Sequence, residues 1–384
     1  ESEKLWAYRP LKVEEVPEGA HPVDWFVDRA LQEAGLEPAP VAKPRELARR
    51  MSFGLTGLPP APAEIREFEG NFGKDPAATV RAYSDRLMAS SHYGEQFGRH
   101  WLDVARYADS AGFANDYTRP NAWRYRDYVV RAFNTDKPYD QFVREQIAGD
   151  EIDEEDTESL IATGFLRMGP WEQTGMSVFR VTRQQWLDDV TDSVGQVFLA
   201  HTLQCARCHD HKFDPVPTRD YYRMSSVFST TQFADRDAPF LKDENQMGFA
   251  QANKWAGEKV AYYQRQRQEL DERVRANRKE EKGEVKTGDN GLDPGNEASL
   301  ARMAKNISRH QWEFDRTKPI ALAVNTGNTI ERRNVSSRIM MPGNPWGKGV
   351  MEKDSILTGG DIYSRGDPVT PGPLSAATSL GGMA

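Results

Sequence analysis

The sequence predicts a mainly α-helical protein. Three observations favour this fold class: apolar residues recur at intervals of three and four along most of the chain, only one short stretch has strand character, and proline and glycine separate the periodic segments. The chain has 384 residues, of which 38% are hydrophobic, enough to bury a sizeable core. We therefore expect an irregular helical fold made of one large domain or two to three smaller ones.

Charge and hydropathy exclude two classes of partner. The formal net charge is −8 and no basic patch occurs, which argues against nucleic acid. No run of about 18 apolar residues is present, so no transmembrane segment is predicted.

The first part of the chain has the pattern of a helical scaffold. A proline-rich lead-in is interrupted by one helical pattern that starts at Val23 and closes at Gly35. A short basic helix at Glu46–Met51 follows, and helix resumes at Ala63–Phe72 after a Gly and Pro break.

An amphipathic helix is predicted around His100. The apolar stripe Phe97, Trp101, Val104 and Ala108 has helical spacing, and a parallel row of ion-pairing residues runs beside it through Asp103. His100 lies at the border between the two rows.

Aromatic and charged residues are dense in the twenty residues after this helix. Buried charges cost several kcal/mol unless they are paired, so the region is either a structural network under aromatic cover or the wall of a polar pocket. A pocket of this composition suits a sugar or another polyhydroxylated ligand. The residues are Tyr107, Asp109, Asn115, Asp116, Tyr117, Arg119, Trp123, Arg124, Tyr125, Arg126, Asp127 and Tyr128.

If the region is a pocket, its residues have assignable roles. A base for a hydroxyl proton is available from His100, Asp103 or Asp109. Substrate would be positioned by three further residues, which are Tyr107, Trp123 and Arg124.

The strongest functional signal is the segment Cys205–His209. Its cysteines are the only two in the chain, they are separated by two residues, and histidine follows at once. Residues i and i+3 of a helical turn share a face, so both thiols can bond one porphyrin edge, as in a c-type haem attachment. Nε2 of His209 would then be the proximal iron ligand, with Nδ1 held by a carbonyl or carboxylate. The helix predicted at Gln184–Gln204 leads directly into this segment.

Three other interpretations remain open. A Cys-x-x-Cys pair also occurs in thioredoxin-like redox sites and in disulfides, but no βαβ pattern surrounds this one. Zinc would need Cys205, Cys208, His209 and His211, and the adjacent Cys208 and His209 cannot easily both reach one ion. Chance spacing is the third. Covalent haem c is favoured over all three.

The sixth iron ligand stays undecided. His100 is the best distant candidate, and a histidine there would give a closed, electron-transfer iron. His211 follows the proximal ligand by two residues and is a second proton-transfer candidate, or a hydrogen-bond partner of a haem propionate. The remaining candidates are His92, His21, His310, Met168, Met176 and Met224.

Composition divides the chain into three predicted parts. Residues 1–240 form the haem c domain. Residues 241–316 are rich in charged residues with sparse apolar positions, and they predict a projecting helical hairpin. Residues 317–384 predict an extended Gly/Pro-rich segment with one short strand at Ile320–Val324.

Several segments together resemble the planctomycete-type secreted cytochrome c family. The resemblance extends from residue 5 to about residue 230, although Gly54 stands where that family usually has an acidic residue. The matching segments are Leu55–Pro60, Tyr93–Glu95, His100–Asp109, Tyr125–Val129, Pro138–Phe142, Glu145–Asp150 and Cys205–Pro215.

The resemblance implies an exported protein, often associated with polysaccharide degradation. In that family a second domain follows the region of Arg365–Asp367, so we expect a C-terminal domain or a second chain as a partner. Covalent haem attachment takes place outside the cytoplasm, which predicts a periplasmic or otherwise exported protein whose Glu1 is a processed or trimmed start.

The expected function is that of an exported mono-haem c-type cytochrome. Its length and polar cluster favour an oxidoreductase that acts on a polar substrate, such as a carbohydrate, with the haem as electron acceptor. The alternative is an electron-transfer or docking module that serves a redox partner without substrate chemistry of its own.

Overall fold

The computed structural model describes residues 9, 13–113, 116–172, 178–280, 293–331 and 339–378; for residues 276–280 and 377–378 it describes the backbone only. The mainly α-helical fold class is confirmed. Contacts between Cα atoms divide the chain into two units. The first comprises residues 1–97, 213–215 and 373–384, and the second residues 98–212 and 216–372.

The first unit is helical. Each of its first four helices begins with a proline. An N–H at this position has no partner within the helix, so proline, which has no N–H, is well suited to it. The second, third and fourth of these helices share a core formed by Ala48, Phe68, Tyr83 and Leu87, and the first helix buries none of its residues. The helices are α1 (Pro22–Glu33), α2 (Pro44–Thr56), α3 (Pro62–Phe72), α4 (Pro76–Met88), the first half of α5 (Ser91–Val104) and the short α13 (Ser375–Thr378).

The second unit contains the larger hydrophobic core. Helices and strands alternate irregularly around buried aromatic residues such as Tyr125, Phe165 and Trp186. The helices are α6 (Ala122–Asn134), α7 (Tyr139–Ile152), α8 (Thr157–Ala162), α9 (Phe179–Leu199), α10 (Thr218–Ser226), α11 (Phe249–Glu280) and α12 (Pro294–Asp315), with 3-10 turns at Thr163–Arg167, Gln204–Arg207 and Thr358–Gly360.

Two small antiparallel sheets complete this unit. Strands β1 (Thr231–Asp237) and β2 (Ile320–Thr326) pair with Ala234 opposite Ala323, and β3 (Ser355–Leu357) pairs with β4 (Arg365–Pro368). The predicted strand at Ile320–Val324 is present as β2, whose residues are almost all buried.

Helices α11 and α12 pack against each other as the predicted hairpin. The ring of His310 on α12 lies 5.3 Å from that of Trp255 and 5.5 Å from that of Tyr263, both on α11. The predicted glycine-rich tip falls in residues 281–292, outside the described residues. The boundaries predicted at residues 240 and 316 stay predictions.

Hydropathy along the helices bears on the membrane question. Among the described residues, every helix is too short or too polar to cross a lipid bilayer.

Candidate functional site

The end of helix α9 sets the path of the cysteine segment. Ala200 adopts a left-handed conformation (φ 55°), and the His201 N–H donates to the carbonyl of Gly195 at 2.9 Å. This closes the helix at Leu199, so the predicted continuation to Gln204 is wrong. His201 therefore lies beyond the end of the helix.

Asp192 of α9 holds the start of the turn that follows. Its Oδ1 atom accepts hydrogen bonds from the backbone N–H groups of Leu203 and Gln204, both at 3.0 Å. A carboxylate in this position satisfies N–H donors that have no partner at the start of a helical turn. The 3-10 turn Gln204–Arg207 is thereby fixed to α9.

The two cysteines lie on one side of that turn. Side chains three residues apart eclipse each other in a 3-10 helix. Leu203 and Ala206 are fully buried, whereas Cys205 and Cys208 are both exposed and neither is in a disulfide. Burial thus alternates along the turn, and both cysteines occupy solvent-exposed positions.

The imidazole of His209 is oriented by the backbone beside it. Its Nδ1 atom lies 2.8 Å from the carbonyl oxygen of Asp210. A carbonyl only accepts hydrogen bonds, so Nδ1 carries the proton and Nε2 carries the lone pair. The exposed ring is thus in the tautomer that binds a metal through Nε2.

Arg207 connects the turn to two other parts of the second unit. Its Nε atom lies 2.8 Å from Oδ2 of Asp188 on α9, and its Nη2 donates to the Gly360 carbonyl at 2.8 Å. Burial raises the pKa of Asp188, while the Arg207 charge opposes that rise. The guanidinium therefore supports the ionised carboxylate on the helix.

Tyr222 supports the same residue from α10. Its hydroxyl donates to the Arg207 carbonyl at 2.8 Å, and burial raises the pKa of this phenol to about 12. The hydroxyl stays protonated at neutral pH, as a donor must.

The residues present fit a covalently attached haem. Attachment requires two accessible thiols on one face of a turn and an imidazole with its Nε2 lone pair available. Cys205, Cys208 and His209 meet these requirements. Within the described ranges, no three His, Cys, Asp or Glu side chains group to hold a metal ion, so the four residues considered for zinc do not form such a site.

His211 helps to close the loop after the motif. It is half-buried, and its backbone N–H donates to the Val216 carbonyl at 2.9 Å. Asp210 fixes the other side of this loop, since its Oδ1 accepts from the Thr218 N–H at 2.8 Å.

The predicted pocket residues divide between the surface and the interior. His100 and Asp103 are exposed on α5. Beyond the helix, the Tyr107 hydroxyl donates to Oδ1 of exposed Asp109 at 2.6 Å, and burial raises the Tyr107 pKa. Arg126, which pairs with Asp127 at 2.7 Å, interacts electrostatically with both. These four residues, Tyr107, Asp109, Arg126 and Asp127, form a polar surface cluster.

Trp123 and Arg124 are held elsewhere. The Arg124 guanidinium is fully buried, with Nε 2.7 Å from Oε1 of Glu244 and further bonds to the carbonyls of Ala238 and Pro239. The Trp123 Nε1–H donates to the Arg316 carbonyl at 3.3 Å. Their contacts are those of a paired interior network, and the structure does not join them to the polar surface cluster.

Two more tyrosines of the region belong to the interior. The Tyr125 hydroxyl lies 2.7 Å from Oε1 of Gln146, and Tyr128 donates to Oε2 of Glu145 at 2.8 Å. Both rings are buried. The first alternative, a structural network under aromatic cover, thus describes this half of the region.

The other ligand candidates have varied settings. His21 and His92 are exposed, Met168 is buried, and the pKa of His310 is lowered by its burial between helices α11 and α12. The ligand candidate Met176 lies outside the described residues, as does Asn115 of the predicted pocket.

Sequence reasoning missed the residues that hold the turn. Asp188 and Asp192 are four residues apart on α9, a spacing that places both carboxylates on one helix face. That spacing was a usable signal. Gly360 gave no such signal, because it lies 153 residues from Arg207 in the sequence.

Comparison with known proteins gives one match. Residues 22–233 match the family described as PSCyt2, protein of unknown function (DUF1549). No curated protein and no solved structure matches the chain. The matched range covers more than half of the 384 residues and contains the whole cysteine turn. The chain therefore belongs to the PSCyt2 (DUF1549) family.

Proposed function

We propose that this protein is an exported c-type cytochrome that carries one haem c, bonded through Cys205 and Cys208 and ligated at iron by Nε2 of His209. The observation that carries the proposal is the exposed turn in which both thiols share a face and the imidazole presents Nε2. A haem c held there would supply a one-electron couple whose potential depends on its axial ligands.

The protein's own residues keep that turn in place. Asp192 fixes its first amides, and Arg207 ties it to α9 and to Gly360. The Asp210 carbonyl holds the His209 ring through Nδ1, which also raises the basicity of the ligating nitrogen. An attachment site supported in this way meets the need of an electron-transfer centre for little reorganisation.

Electron transfer to a redox partner is the function that this geometry supports best. The cysteines and the histidine are all exposed, so a partner can approach the cofactor closely. The partner is either a soluble redox protein, or a C-terminal domain or second chain of a larger assembly.

Oxidation of a polar substrate, such as a carbohydrate, is the second candidate. It is favoured by the polar surface cluster, in which the Asp109 carboxylate accepts from Tyr107 beside the Arg126 cation. A carboxylate in such a position could accept the proton of a substrate hydroxyl. A haem c takes one electron at a time, so the two electrons of an alcohol oxidation would have to pass through it in turn to an external acceptor such as a redox protein. His100, Asp103 and His211 stay predictions in the same role.

The first experiment tests attachment. The full chain is exported in a host that matures c-type cytochromes, and the haem is extracted with acid acetone. We expect one haem per chain to stay on the protein, and Cys205→Ser with Cys208→Ser to abolish retention. Complete extraction from the wild-type protein, or stoichiometric zinc in its place, would refute the proposal.

The second experiment separates the two candidate functions. Stopped-flow oxidation by a small cytochrome measures partner exchange, and reduction by a panel of sugars measures turnover. Exchange without turnover supports the carrier function. In His100→Ala, a change to a high-spin spectrum indicates iron ligation, and lost turnover with an unchanged spectrum indicates a base. If both stay unchanged in the folded variant, His100 has neither role.

A further inference from the structure

A pocket opens between helices α3 and α4 of the first unit. Its cavity volume is about 180 Å³, well above the roughly 10–15 Å³ that a single water needs. Helix α3 lines it with Glu64, Glu67, Phe68 and Asn71, whose spacing of i, i+3, i+4 and i+7 places them on one helix face. Three of these four residues are polar, whereas a helix normally turns an apolar face toward its neighbour.

Helix α4 lines the other side of the pocket with the same spacing. Its residues Thr79, Tyr83 and Arg86 occupy positions i, i+4 and i+7 of one face. The rings of Tyr83 and Phe68 are buried, and their centroids lie 5.1 Å apart in an edge-to-face arrangement. The side chains of Arg86 and Glu67, by contrast, are 45% and 62% exposed. The pocket therefore has an aromatic base and a charged rim.

One guanidinium group lies between two carboxylates at this rim. Arg86 Nη2 is 3.2 Å from Oε1 of Glu64, and Arg86 Nη1 is 3.5 Å from Oε2 of Glu67. Tight charge-assisted pairs have separations of about 2.7–2.9 Å, so both contacts are loose. A guanidinium has five N–H donors, and these two contacts leave several of them unused. The group is kept in place by the Tyr83 ring, whose centroid lies 4.9 Å from Arg86 Cζ.

The two carboxylates differ in their remaining capacity to accept hydrogen bonds. Oε2 of Glu64 accepts from the Ala61 N–H at 2.8 Å, at the start of α3. Glu67 has the loose contact with Arg86 as its one polar side-chain contact within the described part of the chain. The Glu67 carboxylate is therefore the acceptor that a ligand can use.

The charge of the lining favours a neutral ligand. Two carboxylates and one guanidinium give it a formal net charge of −1. An anionic ligand would add to this negative charge, and a cationic ligand would meet the guanidinium that already lies beside both carboxylates. A neutral group that both donates and accepts hydrogen bonds meets neither obstacle.

We propose that this pocket binds a sugar ring through two neighbouring hydroxyl groups. One hydroxyl donates to the Glu67 carboxylate and the next accepts from the Arg86 guanidinium, which is possible because the two side chains are only 3.5 Å apart. The C–H groups of the sugar then pack against the aromatic base formed by Phe68 and Tyr83. The proposal concerns binding alone, goes beyond the haem site and does not depend on it.

The experiment uses the full chain and three probes, the methyl glycosides of glucose, galactose and mannose. Saturation-transfer NMR detects binding, and titration gives the dissociation constant. We expect at least one glycoside to bind with a dissociation constant on the order of 1 mM, since the rim of the pocket is open to solvent. Cyclohexanol, a ring with a single hydroxyl, should bind about tenfold more weakly or not at all. Propylammonium tests the pocket as a cation site.

Two variants locate the binding site, and each has a matched control. Glu67→Met and Arg86→Met should each weaken glycoside binding about tenfold, because each removes a hydrogen bond to a charged group. Glu69→Met and Arg81→Met make the same changes on the same two helices, at exposed positions outside the lining, and should bind as the wild type does. Urea denaturation of the same samples shows whether each variant is folded. Since Glu67 is mostly exposed, its variant keeps the test decisive if Arg86→Met does not fold.

Three results would overturn the proposal. The first is that the wild type binds none of the glycosides. The second is that Glu67→Met binds them as tightly as the wild type, which would place the sugar elsewhere on the protein. The third is that cyclohexanol or propylammonium binds as tightly as the glycosides, which would identify an apolar or a cation site instead.

Discussion

The Nε atom of Arg207 lies 2.8 Å from Oδ2 of Asp188, so one of the two residues between the cysteines pairs with the helix that precedes them. Both side chains are partly buried, at 26% and 18% exposed. The pair therefore holds the turn against α9 more firmly than a solvent-exposed ion pair could.

Arg207→Met should destabilise the protein and reduce haem retention. The substitution removes the ion pair and the hydrogen bond to Gly360, a loss of about 1–3 kcal/mol in the free energy of unfolding. Urea denaturation and haem yield per chain measure the two effects. Arg144→Met is the control: its pair with Asp140 is about 70% exposed on both sides and should cost less than about 0.5 kcal/mol. Equal losses in the two variants would contradict this prediction.

Gly360→Ala should disturb the thiol of Cys208, whereas Gly359→Ala should not. Both glycines have positive φ, 76° and 60°, so alanine costs about 1 kcal/mol of backbone strain at either position. At Gly360 the added Cβ also lies 2.8 Å from the Cys208 sulfur, and at Gly359 it meets nothing within 4 Å. We expect slower thiol labelling and less attached haem only in the Gly360 variant. The same labelling rate in both would show that the contact has no effect.

Arg124→Met should greatly lower the protein's free energy of unfolding. The side chain of Glu244 is completely buried and would lose its counter-ion, which costs about 3–5 kcal/mol. Combining Arg124→Met with Glu244→Leu should recover part of the loss, because no unpaired charge remains. Arg126→Met, on the surface, should cost less than about 1 kcal/mol. If Arg124→Met instead abolished sugar-dependent reduction at unchanged stability, its role would be substrate binding.

Asp150→Asn should flatten the dependence of stability on pH. Burial, reinforced by Glu151, raises the Asp150 pKa from 3.8 to about 6. The folded protein therefore holds this proton more tightly than the unfolded chain, and the resulting stabilisation is present below about pH 4 and lost as pH rises through 6. The asparagine variant should exceed the wild type at pH 8 by up to about 3 kcal/mol.

Denaturation curves at pH 5 and pH 8 measure this difference. Asp103→Asn, on the exposed face of α5, is the control and should follow the wild type at both pH values. If the free energy of unfolding changed by the same amount between pH 5 and pH 8 in the wild type and in Asp150→Asn, the raised pKa of Asp150 would be excluded.

Local patterns predicted the helices well where sequence neighbours decide the structure. Helix α3 begins and ends within a residue of its prediction because a proline starts it and its apolar face is continuous. Helix α5 was predicted to continue past Val104, but Arg106 turns left-handed (φ 57°) and pairs with Asp189. That partner is distant in sequence, so helical periodicity alone could not show the break. Strand β1 was missed for the same reason, since β2 supplies its pairing.

The candidate site shows the same limit. Cys205, Cys208 and His209 could be identified from spacing, because that chemistry is local. Spacing could not show which polar residues of the 107–128 region are buried. Arg124 is buried and Arg126 is exposed, and the burial of Arg124 depends on its pair with Glu244, which is distant in sequence.

Burial alternates along the cysteine turn, so positions 206 and 207, between the two cysteines, tolerate different substitutions. Ala206 is fully enclosed, so a larger side chain there has no room and must push the thiols outward. Arg207 reaches across the surface, so a shorter side chain leaves the backbone where it is but loses the partners. Sequence drift in this motif should therefore be limited by volume at position 206 and by charge at position 207.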